Sequence, residues 1–181
     1  MKKLLVFAAC AGMLFTIACG DDNENGPTKV LPTSWSAKLV GAQRNNAGSF
    51  FSPTTGVVYS TGDSAGFVNN KVDITFANLS QTGQPTFLAP AARRAAGLTR
   101  VVTVNRSTQF SLSTLTKAQF DTVSNAFVAA QAGANATQGV EQGRVYSFLN
   151  AENKSGLIYV SNVNASTNFD GAVTIDVKFE K

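Results

Sequence analysis

Val173-Thr174-Ile175-Asp176-Val177-Lys178-Phe179-Glu180 is the stretch whose pattern decides the fold. Four apolar residues alternate strictly with four polar or charged ones. Successive side chains on an extended chain point to opposite faces, so this spacing predicts a strand with one dry face and one wet face. Two earlier stretches repeat the pattern. Val72, Ile74 and Phe76 alternate with Asp73 and Thr75, and Trp35, Ala37 and Leu39 alternate with Ser36 and Lys38. Alternation of this kind favours antiparallel sheets with one solvated side.

Working outward, Pro53-Thr54-Thr55-Gly56 is a turn signal between Phe50-Phe51-Ser52 and Val57-Val58-Tyr59, which reads as a hairpin. Residues 145–149 and 157–160 read as two strands joined by a polar turn over 150–156. The apolar, β-branched run at 98–104 reads as another strand. Pro90 followed by residues 91–96 and Gly97 suits a short helix with a defined stop. Residues 81–85 and 134–143 read as turn and loop. The strongest helix signal spans residues 117–132. Thr116-Lys117-Ala118-Gln119 has the spacing of a capping box, in which Thr116 caps the first turn and Gln119 reaches back. Leu115 and Phe120 sit where a hydrophobic staple would place them, and Phe120, Val123 and Phe127 form one apolar stripe. The fold expected is mostly β: an antiparallel β-sandwich or curved sheet of seven to nine strands with one packed α-helix. The alternative is an α+β domain with the helix over one sheet face.

The first residues carry a different kind of signal. Lys2 and Lys3 precede an uncharged run from Leu4 to Ala18, too short for a comfortable transmembrane helix and shaped like a secretory leader. Thr16-Ile17-Ala18-Cys19 resembles the bacterial lipobox, with Thr16 where leucine is usual. The resemblance implies cleavage before Cys19 and acylation of its thiol. Residues 1–18 are then signal peptide, 19–33 a tether and 34–181 a single β-rich domain. One acyl chain binds a bilayer marginally and two or more hold it stably, so the lipid bilayer is the first expected partner.

Asp21, Asp22 and Glu24 follow the cysteine, and this tract resembles the surface-export signal of lipoproteins in the Bacteroidota. Gly41-Ala42-Gln43, Gly48-Ser49-Phe50-Phe51-Ser52, Gly56-Val57-Val58-Tyr59, Val72-Asp73-Ile74 and Ser155-Gly156-Leu157-Ile158 resemble stretches of uncharacterised lipoproteins from the same bacteria. That likeness implies an outer-membrane lipoprotein facing the cell surface, with a periplasm-facing anchor as the alternative. It implies no activity. Asp63-Ser64-Ala65 and Asp121-Thr122-Val123 resemble the O-glycosylation sequon of these bacteria, which marks Ser64 and Thr122 as modification candidates.

Composition narrows the chemistry. The chain has 181 residues and no histidine, which removes Ser-His-Asp catalysis and every histidine metal site. With Cys10 in the leader and Cys19 acylated, the domain holds no free thiol, and no metal or cofactor is expected. Lys2 and Lys3 account for two of the four net positive charges, and no basic run supports nucleic-acid binding. Beyond the leader, Arg93-Arg94 is the one basic pair and reads as a solvated face. Among the acids, Asp73 alone has mostly apolar neighbours in a strand pattern. It reads as a structural carboxylate partnered by Arg100 or Arg106. Asp63 and Asp170 are the loop acids for which calcium would be conceivable. Trp35, Tyr59, Tyr146 and Tyr159 are the amphipathic aromatics that can stack on sugars or pack a core. The expected function is a membrane-anchored, non-enzymatic module that binds a glycan, a peptide or a partner protein. A carboxylate-type hydrolase and a structural envelope component are the alternatives.

Overall fold

A computed structural model describes residues 29–43, 45–60, 63, 71–79, 83–98, 106–166 and 170–181. Ten strands form two five-stranded sheets. They are β1 (Thr33–Gly41), β2 (Phe50–Ser52), β3 (Val57–Tyr59), β4 (Ile74–Asn78), β5 (Pro85–Leu88), β6 (Gln109–Leu112), β7 (Thr137–Gly139), β8 (Val145–Leu149), β9 (Ser155–Ala165) and β10 (Gly171–Phe179). One sheet has the order β1-β10-β9-β8-β6 and the other β3-β2-β4-β5-β7. Every pairing is antiparallel. Two short helices, α1 (Lys117–Thr122) and α2 (Asn125–Ala129), lie between β6 and β7.

The sheets stack as a sandwich, and the main core is the space between them. Val173, Ile175, Val177 and Phe179 of β10 enter it, as the alternation requires. Phe51, Ile74, Phe76 and Phe87 meet them from the opposite sheet. Phe87 stacks on Phe110 with ring centroids 5.9 Å apart and meets Tyr146 edge-on at 5.7 Å. Such geometries add to the burial itself.

The outer faces are also covered. On the first sheet, Val145 and Leu157 are buried under Phe120, Val123 and Val128 of the helical segment. On the second, Leu88 and Ala77 pack against Leu98 and Ala96. The chain from Pro90 to Leu98 runs there, starting as a 3-10 turn at Pro90–Ala92. Gly97, at φ +75°, takes the left-handed conformation that ends the turn.

The hairpin of β2 and β3 forms as the sequence predicts, pairing Phe50 with Tyr59 and Ser52 with Val57. Four expectations need correction. Ten strands are seen among the described residues where seven to nine were expected, because β5, β6 and β7 are only three or four residues long. Next, the helix expected over 117–132 is two helices. The capping box and the staple partners Leu115 and Phe120 are present. However, Val123 and Ser124 are extended, and Ser124 caps a fresh helix by accepting the Phe127 N–H at 3.2 Å. Thr122, Val123 and Ser124 are poor helix residues, and serine competes for backbone donors. The break turns the stripe: Phe120, Val123 and Val128 are buried, while Phe127 is 41% exposed.

The third correction is in β1. Trp35 pairs with Val177 and Lys38 with Ile175, so Ser36 and Ala37 together stand opposite Asp176. Ala37 has φ +51°, and its N–H donates to the Asp176 carboxylate at 2.8 Å. This bulge shifts the faces by one residue. Val40 is buried, and Leu39, which the alternation would bury, is exposed. Finally, β4 is buried on both faces, Thr75 included, as is Asp73 just ahead of it, because the second sheet is covered on its outer side. Residues 99–105, most of the strand expected at 98–104, lie outside the described residues.

The helix break has a direct consequence for stability. Phe120→Ala should cost about 3–5 kcal/mol, as loss of a core phenylalanine does. Phe127→Ala should change stability by about 0.5 kcal/mol or less, as at an open surface site. Urea unfolding of both variants checks this, and a large loss at Phe127 would restore the continuous helix.

Candidate functional site

Among the described residues, two places gather polar chemistry, and they lie at opposite ends of β8. One surrounds the β8–β9 hairpin. Asn150 shapes that turn: its side-chain oxygen accepts from the N–H groups of Glu152 and Lys154 at 3.0 and 2.8 Å. Its amide nitrogen donates to Asp73 at 3.0 Å. Asp73 lies one residue ahead of β4 and is fully buried. Arg106 Nε donates to its other oxygen at 2.8 Å. Arg106 also reaches Glu152 at 3.5 Å, and Glu152 pairs with Lys71 at 3.2 Å. The network therefore ties both sheets and the hairpin tip together. A shallow cleft of about 220 Å³ opens beside it, with Lys71 and Glu152 on its wall.

Burial pushes the Asp73 carboxyl above its ordinary value, against the pull of Arg106 and Asn150. Burial also acts upward on Glu152, but the Lys71 hydrogen bond and the charges of Arg106 and Lys71 outweigh it, so that carboxyl is lowered. A carboxylate with no exposed surface cannot touch a substrate. Asp73 is thus a structural anion, and its partner is Arg106; Arg100 lies outside the described residues.

The second place is an open groove of about 530 Å³ where β6 leaves its sheet and crosses over the start of β8. Leu112, Leu115 and Val145 give it an apolar floor, and Lys117 and Arg144 stand on its rim. Leu112 is 48% exposed at the end of β6, the edge strand of its sheet. Ser113 tightens the bend by accepting the Leu115 N–H at 3.2 Å. Lys117 is held by Asp121 at 2.5 Å, while Arg144 has only a loose contact of 3.9 Å to Glu141. Arg144 is therefore the rim cation freer to meet a ligand anion.

The register sets these two places apart. Leu112 pairs with Tyr146 at one end of β6, and Gln109 with Leu149 at the other, next to the hairpin. The start of the domain belongs to the hairpin end, since Thr33 pairs with Phe179 and Phe179 with Gly156. Ahead of it, the Val30 carbonyl accepts the Asn125 N–H at 3.0 Å, and Lys29 donates to the Thr122 carbonyl at 2.8 Å.

The other residues singled out from sequence fall as follows. Cys19, Asp21, Asp22, Glu24 and Ser64 lie outside the described residues. Thr122 ends α1, exposed, with its hydroxyl donating back to helix carbonyls at 3.3 Å. Arg93 corrects the solvated-pair expectation. It is fully buried with its guanidinium 4.6 Å from the Phe50 ring, and burial lowers its pKa to about 10. Arg94 alone faces solvent. The reason is the outer layer over the second sheet, which carries Arg93 inward. Asp63 is exposed, and Asp170 accepts from the Gly171 N–H at 2.7 Å. Among the described residues, no cluster of three His, Cys, Asp or Glu side chains is placed to hold a metal.

Tyr59 and Tyr146 are buried, Tyr146 accepting the Glu141 N–H at 2.8 Å. Tyr159 is half-buried beside Phe120, with Lys117 over its ring at 5.0 Å. Trp35 is half-buried, donates to the Pro53 carbonyl at 2.8 Å, and lies flat on Gly56. Gly56 has φ +71°, and any side chain there would strike the indole. The aromatics therefore serve packing. Sequence reasoning missed the groove because its residues come from a strand end, a bend and the turn that enters β8, which no local pattern links.

Compared with known proteins, the chain matches no family model, no curated protein and no solved structure.

The Asp73 network has a defined pH signature. A carboxyl raised in the folded state binds its proton more tightly there than in the unfolded chain. Its contribution to stability is then full below the ordinary value of about 3.8 and is lost as pH rises through the folded value. Arg106→Ala leaves Asp73 buried without its counter-charge and should cost about 3 kcal/mol at neutral pH. The same variant should extend the pH-dependent loss upward, and adding Asp73→Asn should restore part of the stability and flatten the dependence. Thermal unfolding from pH 3 to pH 8, roughly across the carboxylate range, reads all three.

Proposed function

We propose that this chain is a lipid-anchored interaction module that presents the groove between Leu112 and Arg144 to a ligand on the side away from a membrane. The observation that carries this reading is the separation of the two ends of β8. The chain start, with Cys19 ten residues ahead of Lys29, belongs to the hairpin end, and the groove opens at the other. A bilayer held through an acylated Cys19 then leaves the groove free. An outer-membrane location facing the cell surface agrees with the acidic tract Asp21, Asp22 and Glu24. The groove has an apolar floor and a cationic rim, which suits a peptide or partner protein with apolar and acidic side chains better than it suits a bare sugar. The hydrolytic alternative is weakened by the burial of Asp73, its leading strand carboxylate.

Two measurements test the reading. Cys19→Ala should move the protein out of the detergent-soluble membrane fraction, and a variant that stays there would refute the anchor. A thermal-shift screen of the chain from Gly26 against peptides, glycans and divalent cations tests the groove. A ligand at about 100 times its dissociation constant adds roughly 2.7 kcal/mol. At about 2–4 °C per kcal/mol for a domain of this size, the midpoint rises by several degrees. Arg144→Glu should abolish the shift given by an acidic peptide; a shift that survives it places the ligand elsewhere.

A further inference from the structure

The surface around α2 has a character unlike the rest of the domain. No charged residue occurs between Asp121 and Glu141. Ala126, Phe127, Ala129 and Ala130 are all exposed there. Six large apolar residues are exposed in the described structure, and three of them gather at this corner: Val30 at 55%, Leu31 at 58% and Phe127 at 41%. Val30 is fixed to the start of α2 by the Asn125 N–H. Three lysines border the patch. Lys29 and Lys178 donate to the carbonyls of Thr122 and Asp121 at 2.8 and 2.6 Å, and the Lys181 N–H donates to the Asn125 side chain at 2.9 Å. Asp121, the acid beside them, is held by Lys117 at 2.5 Å.

We infer that this face seats the domain on the surface of a phospholipid bilayer, as a second contact beside the acylated cysteine. The inference rests on the anchored reading above and adds an orientation to it. The occupant follows from where the chain comes from. Nine residues, 20–28, lie between Cys19 and Lys29. Fully extended, this span reaches about 35 Å at most. The tether meets the domain on the patch itself, so the patch is the part of the surface held nearest the lipid. An uncharged apolar face ringed by lysines fits the boundary between headgroups and acyl chains. Phe127 and Leu31 would enter the apolar side, and the lysine stems would lie along it with their ammonium groups in the headgroups. Contact there would cover the exposed apolar area and leave the groove at the other end of β8 in solvent.

The test uses the whole protein, acylated and reconstituted in vesicles of phosphatidylethanolamine and phosphatidylglycerol. With Cys10 removed and Cys19 acylated, a single introduced cysteine can carry a polarity-sensitive fluorophore. Phe127→Cys and Ala130→Cys mark the patch, and Leu112→Cys marks the groove. Spin-labelled lipid should quench the probes at 127 and 130 and leave the probe at 112 bright. Equal quenching at all three positions, or none at 127 and 130, overturns the inference while the anchor stands. Shielding at 127 without quenching by lipid marks a protein on this face, such as a second copy, and overturns it too. A mass spectrum of the N-terminal peptide separates the two readings: a bare Cys19 removes both the anchor and the seat.

Discussion

Each sheet of this sandwich carries apolar side chains on its outer face that cannot be left to water, and the rest of the structure follows from that constraint. Val145 and Leu157 are apolar outward, as are Phe50, Ala77 and Leu88 of the other sheet. Burying such side chains is worth about 1.5–3 kcal/mol each. The chain therefore spends its two longest connections as covers. Residues 90–98, after β5, fold over one sheet and the helical segment between β6 and β7 over the other. The result is a layered domain with one large core and thinner ones outside it.

This explains which parts could be read in advance. The β10 alternation, the capping box at Thr116 and the hairpin at Pro53–Gly56 are local statements, and each is present as written. The bulge in β1 is not local. It depends on the Asp176 carboxylate reaching the Ala37 N–H from the neighbouring strand. Likewise, Thr75 and Asp73 look like wet-face residues until the outer cover is known. Arg93 looks like surface charge for the same reason. The helix break was hidden because Phe127 and Val128 are adjacent apolar residues, and only packing decides which faces inward.

The candidate site was legible in unequal parts. That Asp73 needs a cation, Arg100 or Arg106, could be anticipated, since a carboxylate amid apolar residues needs one or it shifts toward neutrality; the choice of Arg106 could not. That one sequence expectation named Asp73, the residue that now ties the β8–β9 hairpin to the opposite sheet. The groove could not be anticipated. Its lining brings Leu112 near Val145 only because β6 pairs with β8 and the Ser113 N–H donates to the Val145 carbonyl, and its cation Arg144 precedes β8 by one residue.

The pairing of Thr33 with Phe179 has a further consequence, in time rather than in space. The first strand has its hydrogen-bonded neighbour in the last, and β10 also supplies four side chains to the main core. Until β10 is in place, β1 has no neighbour in its sheet and the core lacks one wall. Contacts of such sequence separation demand that a long loop be closed before they are rewarded, and they slow folding accordingly. Closure of that sheet therefore waits on β10, which keeps β1 from locking into it early.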